Sequence, residues 1–238
     1  MFEPVTDQRQ YLRIREFLAE QIEHGRWHPG ERLPSERTLC EQFDSARTTI
    51  RQALLHLEGE GLVFRKDRSG WFVSFPRITY DPTHHINFAR IVELHGRMPR
   101  WELIGIGRVR AGPRLASFFE HRGDLDVFRM TTLCSIDDRR VALQEYFLDA
   151  EVFPDLDQIS HEAPLTDTLR KHYGVQTEQR RITIRPTRLN EWQAHALGLT
   201  PSAPGLFIRR LKVERSGRVV EVDNEFWRHD IIEFSIEK

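Results

Sequence analysis

The stretch Leu33-Pro-Ser-Glu-Arg-Thr-Leu-Cys-Glu-Gln-Phe-Asp-Ser-Ala-Arg-Thr-Thr-Ile-Arg-Gln-Ala-Leu-Leu-His-Leu57 decides the fold of the first third of the chain. Ile50, Ala53, Leu54 and Leu57 fall at i, i+3, i+4 and i+7, the spacing of one helical face, while Arg47 and Arg51 share another. Ahead of this helix, Ser35 is placed to accept from backbone amides as an N-cap and Glu36 complements the helix dipole, so a short helix is predicted through Leu39, Cys40 and Phe43. Asp44-Ser45 breaks that helix and is expected to cap the next. Working outward, Tyr11, Ile14, Leu18 and Ile22 mark an amphipathic helix from Gln8 to about His24, closed near Gly25. On the other side Gly59-Glu-Gly61 ends the third helix, and 62–64 and 71–73 read as two strands joined by Arg65-Lys-Asp-Arg-Ser-Gly70.

Three helices followed by a basic-tipped hairpin make a winged helix-turn-helix. In that arrangement the second helix of the motif enters the major groove and its first residues reach base edges. Arg47 and Arg51 are suited to guanine O6 and N7, and Thr48 and Thr49 to phosphate or a thymine methyl. Arg37 faces the same groove, and Lys66, Arg68, Ser69 and Gly70 at the wing are placed for a neighbouring minor groove or phosphate. The alternative is a solvated face of arginines paired with acids. Against it, residues 45–71 hold five basic and three acidic residues, a local excess in a chain whose 35 Lys and Arg against 36 Asp and Glu leave −1 overall.

The 238 residues, 39% hydrophobic and 30% charged, fit one or two globular domains. No run approaches the roughly 20 apolar residues of a spanning helix, and the first residues lack a signal-peptide pattern, so a cytoplasmic protein is expected. Cys40 and Cys134 lie far apart without paired spacing, which points to neither a disulfide framework nor a metal cluster, and Cys40 is expected to be buried. His84-His85 are adjacent and so would point to opposite faces of a strand, a poor metal pair. Ser74-Phe-Pro-Arg-Ile-Thr-Tyr-Asp-Pro82, with two prolines, marks a composition shift. Residues 1–74 are therefore assigned to the DNA-reading domain, 75–82 to a linker and 83–238 to a second domain.

In that second domain, strand-like runs at 101–109, 127–136, 141–148, 179–186, 206–215 and 218–228 alternate with helical runs at 83–95, 165–173 and 191–197. Arg215-Ser-Gly-Arg218 reads as a hairpin turn. The expected class is α+β with mainly antiparallel pairs.

Residues 11–73, above all Pro29-Gly-Glu-Arg-Leu-Pro-Ser-Glu-Arg-Thr-Leu39, the run 46–62 and Gly70-Trp-Phe-Val73, resemble the N-terminal domain of the GntR family of bacterial transcriptional regulators. The resemblance implies that Arg37, Arg47, Thr48, Thr49, Arg51 and the wing from Lys66 to Gly70 contact DNA, and that a homodimer binds a palindromic operator. The remainder resembles the UTRA effector domain of the HutC branch, which implies a chorismate-lyase-like fold. Its landmarks are Gly96-Arg-Met-Pro99, Phe153-Pro-Asp-Leu156, Pro164-Leu-Thr-Asp-Thr-Leu169, Ala196-Leu-Gly198 and the closing stretch 217–230. Three segments, 68–73, 81–88 and 226–230, are similar to phosphonate-utilisation regulators of the PhnR type, which implies 2-aminoethylphosphonate or a relative as effector.

A ligand with a phosphonate at one end and an ammonium at the other needs hydrogen-bond donors and a carboxylate. Glu145 and Glu221, on strands matching the family's ligand-lining strands, are assigned to the ammonium. Arg129, Thr132 and the groups from His84 to Asn87, including His85 and Asn87, are assigned to the phosphonate; Trp227 covers the site and Thr166 matches a ligand-facing helix start. The family's Arg-x-Arg pair for phosphorylated ligands is replaced here by Thr132-Leu-Cys134, which puts the ligand class in question. Cross-strand ion pairs are the alternative role for Glu145 and Glu221, and a structural ion pair is expected of Arg228 and Asp230. The overall expectation is a ligand-responsive regulator with no catalytic residues, cofactor, metal or membrane partner. The alternatives are another small metabolite as effector, such as a sugar phosphate or an amino-acid derivative; an effector-free architectural DNA binder; or a chorismate-lyase-like enzyme.

Overall fold

The computed structural model describes residues 5–66, 69–83, 88–121, 124–137, 139–161 and 164–236. The chain divides into two compact units, Met1–Arg77 and Ile78–Lys238. Among the described residues no helix is long and apolar enough to cross a membrane.

The first unit contains α1 (Val5–Glu23), α2 (Glu36–Phe43), α3 (Arg47–Gly59) and the antiparallel hairpin β1 (Val63–Lys66) with β2 (Gly70–Val73). The expected apolar stripe is its core: Ile14, Leu18, Leu39, Ile50, Ala53, Leu54 and Leu57 pack with Val63, Trp71 and Val73. A leucine buried this fully, as Leu18, Leu54 and Leu57 are, contributes about 1.5–3 kcal/mol. Ser35 caps α2, its Oγ accepting from Thr38 N at 3.1 Å.

The cap of α3 differs from expectation. Asp44, at φ 44°, makes the left-handed turn that closes α2, and its N–H and that of Ser45 both donate to Cys40 O. The chain therefore enters α3 one residue later, at Ala46, with no side-chain cap, while Ser45 Oγ is buried without a partner among the described residues. Cys40 is half-buried rather than fully buried. At the wing, Gly70 at φ 101° takes a conformation that other residues rarely adopt.

In the second unit, β3 (Ile78–Tyr80) and α4 (Phe88–Leu94) precede the strands β4 (Pro99–Arg110), β5 (Asp126–Ile136), β6 (Arg139–Asp149), β7 (Glu178–Arg188), β8 (Pro204–Val213) and β9 (Val219–Arg228). These six form one antiparallel sheet in the order β4-β5-β6-β9-β8-β7. The remaining elements are α5 (Pro113–Phe118), α6 (Leu165–Tyr173), α7 (Glu191–Ala196) and β10 (Ile232–Phe234), which pairs in parallel with β3. Thus the stretch 75–82 is not irregular throughout. Pro76 and Pro82 flank a short strand instead of interrupting it, and the alternate residues Ile78 and Tyr80 are buried against the second unit's core.

Both faces of the sheet are covered. On one face α5 packs over Val127, Leu211 and Val222, and α7 packs over Leu133, Leu143 and Phe226. On the other, α4 and the β3–β10 pair cover Cys134, Ala142, Ile208 and Trp227, while α6 covers Phe128 and Leu148. The β8–β9 pairing is held close at Gly205, where a methyl group would lie 2.8 Å from Trp227 O and 3.0 Å from Leu189. Gly205→Ala is therefore expected to cost about 1–3 kcal/mol by overpacking, measured as a lowered melting temperature. An unchanged melting temperature would show that the two strands part freely there.

Candidate functional site

In the first unit, α3 divides by side. Thr49, Ile50, Ala53, Leu54 and Leu57 are buried, and Arg47, Thr48 and Arg51 are exposed. Thr49, expected among the DNA-facing residues, is 2% exposed because it precedes Ala53 by four residues and joins the inward stripe. Its side chain leaves the exposed set. Glu36 ties the reading head together: Oε2 accepts from Arg47 Nε at 3.0 Å and Oε1 from Trp71 Nε1 at 3.2 Å. Partial burial acts to raise the Glu36 pKa, but these two hydrogen bonds outweigh it and hold the carboxyl below its usual range. One carboxylate thus links the start of α2, the start of α3 and the wing.

Arg37 is exposed, with Glu41 at 3.6 Å along its helix. Lys66 is exposed at the end of β1, and Ser69 N donates to Lys66 O at 3.0 Å, leading into Gly70. Arg68 lies outside the described residues. Arg37, Arg47, Thr48, Arg51 and Lys66 make an exposed polar set around a helix start without a side-chain cap, whose positive dipole end favours anions.

In the second unit a cavity lies between the sheet and the layer formed by α4, the β3–β10 pair and the start of α6. Its volume is about 90 Å³. Strand alternation decides what faces it. Thr132 stands opposite Gln144, which stands opposite Glu225; Met130, Tyr146 and Asp223 form the next such row, so all of these share one face. On β8, Arg210 stands opposite Asp223 and Lys212 opposite Glu221, on the same face. Trp101 and Leu103 from β4, Tyr80, Phe88, His161 and the Pro164-Leu-Thr166 start of α6 complete the walls.

The cavity wall carries a buried charge network. Arg210 donates to Glu225 at 2.7 Å, Tyr80 Oη at 2.9 Å and Gln179 at 2.6 Å, and Trp227 Nε1 donates to the other Glu225 oxygen at 2.7 Å. Lys212 Nζ bridges Glu221 at 2.6 Å and Asp223 at 2.8 Å. Burial acts to lower the Lys212 pKa, but Asp223 and Glu221 override it, and the ammonium stays firmly protonated. Burial, reinforced by Glu221, pushes the Asp223 carboxyl well above its usual range. Two side-chain oxygens on this wall, Thr132 Oγ1 and Asp223 Oδ1, are buried without a hydrogen-bond partner among the described residues. The Cys134 thiol donates to Gln144, and burial together with Glu225 pushes its pKa up, so it is no activated nucleophile.

Of the residues expected to bind effector, Thr132, Cys134, Thr166 and Trp227 line this cavity. Arg129 and Glu145 do not, which corrects the expectation. They are odd-numbered neighbours of the cavity-facing Met130 and Gln144, so the pleat turns them to the opposite face, where they pair with each other. Glu221 shares the cavity face but its carboxylate is taken by Lys212. His85 and Asn87 lie outside the described residues. Arg228 and Asp230 form the expected structural pair, joined by Arg139 at 2.5 Å. Missed from sequence were Arg210, Lys212, Asp223, Glu225, Gln144 and Tyr146. Their signal was the every-second-residue acids of β9 facing the bases of β8 across a recognisable turn.

Residues 10–73 match the GntR family of bacterial regulatory proteins and residues 94–233 match the UTRA domain. The chain is 30% identical over 223 residues to the HTH-type transcriptional regulator YihL of Escherichia coli K12, covering 93% of this chain and 94% of that one. It is 26% identical over 220 residues to the HTH-type transcriptional repressor NagR of Bacillus subtilis, covering 92% and 90%. Among solved structures, PhnF from Mycobacterium smegmatis superposes with a TM-score of 0.66 at 25% identity, covering 94% of this chain and 98% of that one. A winged reading head followed by a mainly antiparallel domain with an internal cavity is therefore no chance juxtaposition: the chain belongs to the GntR family of bacterial regulatory proteins, in its UTRA-bearing, HutC-type branch.

Proposed function

We propose that this protein is a homodimeric transcriptional regulator whose first unit reads a palindromic operator and whose second unit binds a small effector that changes operator affinity. The observation that carries this reading is the presence, in one chain, of an exposed Arg47, Thr48 and Arg51 face and a cavity with two polar atoms that lack a partner among the described residues. Two copies would place their α3 helices in half-sites about one helical turn apart. The uncapped α3 start and Lys66 would meet phosphates, while Arg51 and, once released from Glu36, Arg47 would read bases.

The effector we assign is 2-aminoethylphosphonate or a close relative. Polarity supports it, since α6 begins on the cavity wall without a side-chain cap and presents its positive dipole end there, while Asp223 supplies a carboxylate oxygen with no partner among the described residues. With no arginine at 132 or 134, the phosphonate is assigned to the Thr132 and Thr166 hydroxyls and the amides at the start of α6.

The test is selection of a binding site from random duplex DNA, followed by titration of the complex with 2-aminoethylphosphonate. The effector is expected to change affinity about 5- to 150-fold, a coupling of about 1–3 kcal/mol. Unchanged affinity at saturation would end the effector reading. On the selected site Arg51→Ala is expected to lose about 1–3 kcal/mol and relax one base preference, whereas Lys66→Ala weakens all DNA alike. Equal losses on selected and random DNA for Arg51→Ala would remove it from base reading.

A further inference from the structure

We propose that the cavity recognises its effector through a cationic nitrogen seated against Asp223, an assignment that rests on the effector-binding reading above. Asp223 is 2% exposed and lines the cavity from β9. Its Oδ2 accepts from Lys212 at 2.8 Å, and its Oδ1 has no hydrogen-bond partner among the described residues. A buried carboxylate oxygen without a donor is unfavourable, so the position suits a donor that arrives with the ligand.

The neighbouring carboxylates are already engaged. Glu225 has Arg210 on one oxygen and Trp227 on the other, and Glu221 is held by Lys212 and does not line the cavity. Burial and Glu221 push the Asp223 carboxyl up, and an ammonium brought against it favours the ionised form, which a wholly anionic ligand would not. Tyr146, opposite Asp223 in the strand register, lines the same cavity and brings an aromatic ring next to the position. Thr132 Oγ1, the second unpartnered atom, offers an acceptor for another N–H or a donor to the ligand's far end. An alkylammonium or a zwitterion carrying one is thus the ligand class.

The experiment titrates the full-length protein, by calorimetry and thermal shift, with three pairs matched except for the amine. These are 2-aminoethylphosphonate and ethylphosphonate, β-alanine and propionate, and ethanolamine and ethanol. At least one amine-bearing member is expected to bind about 10- to 150-fold tighter than its partner, the range of one charge-assisted hydrogen bond. Asp223→Asn is expected to erase that preference. It leaves Lys212 paired with Glu221, so the fold is kept. Failure of every amine-bearing member to bind at millimolar concentration overturns the assignment. So does equal binding of the amine-free partners to the wild-type protein, a result that needs no variant. Site selection from random DNA on the same preparation separates the outcomes: an amine preference kept by Asp223→Asn with DNA binding intact removes Asp223 alone, and absence of DNA binding removes the regulator reading alone.

Discussion

Lys212→Met is expected to cost the second unit roughly 3–5 kcal/mol at neutral pH, the usual penalty for removing one partner of a buried ion cluster. The lysine is 4% exposed, and its ammonium lies 2.6 Å from Glu221 and 2.8 Å from Asp223, themselves 1% and 2% exposed. Methionine fills much of the same space, so the loss isolates charge from packing. Two carboxylates then share a low-dielectric site with no cation between them. For a unit of this size each kcal/mol moves the melting temperature about 2–4 °C, so a fall of roughly 6–20 °C is expected. The pH dependence is diagnostic. An unfolded aspartate ionises at about 4, whereas burial and Glu221 already raise Asp223 in the fold and loss of the Lys212 ammonium removes the group that opposes this rise. A group whose pKa is raised by folding adds stability below its unfolded value and loses it as pH rises through the folded one. The deficit should therefore be smallest near pH 5 and widest near pH 8. Melting temperatures of the variant and the wild type across that interval measure it, and a variant as stable as wild type at pH 8 would show that the cluster is not held together by Lys212.

The helices of the first unit were legible in sequence because each carries its own period: Ile50, Ala53, Leu54 and Leu57 name their face without reference to the rest of the chain. The long strands of the second unit were legible for the same reason. What escaped was short or non-local. The six residues of α5 and the three of β10 are too few for a period to declare itself, although Gly112-Pro113 was a helix-start signal. In the cavity, parity was the decisive quantity. Thr132 and Cys134 line the cavity because their strand faces it with even-numbered residues, whereas Arg129 and Glu145 have the other parity. On β9, Glu221, Asp223, Glu225 and Trp227 alternate with apolar or neutral residues, and counting back from the turn at 215–218 sets Lys212 opposite Glu221. That register was within reach of the sequence. The choice of Asp223 as the carboxylate with an open oxygen was not, because it depends on where Lys212, Arg210 and Trp227 send their donors. Nor could one sequence show that Tyr80, Phe88 and His161 close over the sheet from three separate segments.

Trp71→Ala is expected to abolish operator binding while leaving effector binding in place. Trp71 is 3% exposed within the core of the first unit, and its indole N–H reaches Glu36. Truncating a buried tryptophan costs about 3–5 kcal/mol. A unit of some 70 residues has a total stability of about 4–10 kcal/mol, so the loss removes a third or more of it and in the lower part of that range all of it. Two consequences should appear together: the hairpin that carries Lys66 detaches from the helices, and Glu36 loses the donor that fixes it beside Arg47. Trp71→Phe separates them. It keeps a ring in the core but removes the N–H, so the cost should fall to about 1–2 kcal/mol, with Glu36 left to Arg47 and operator binding weakened but present. Circular dichroism and operator titration of both variants, alongside calorimetry with 2-aminoethylphosphonate, make the comparison. Operator affinity within twofold of wild type for Trp71→Ala would mean that the wing contributes nothing to reading, and that α2 and α3 hold their geometry without it.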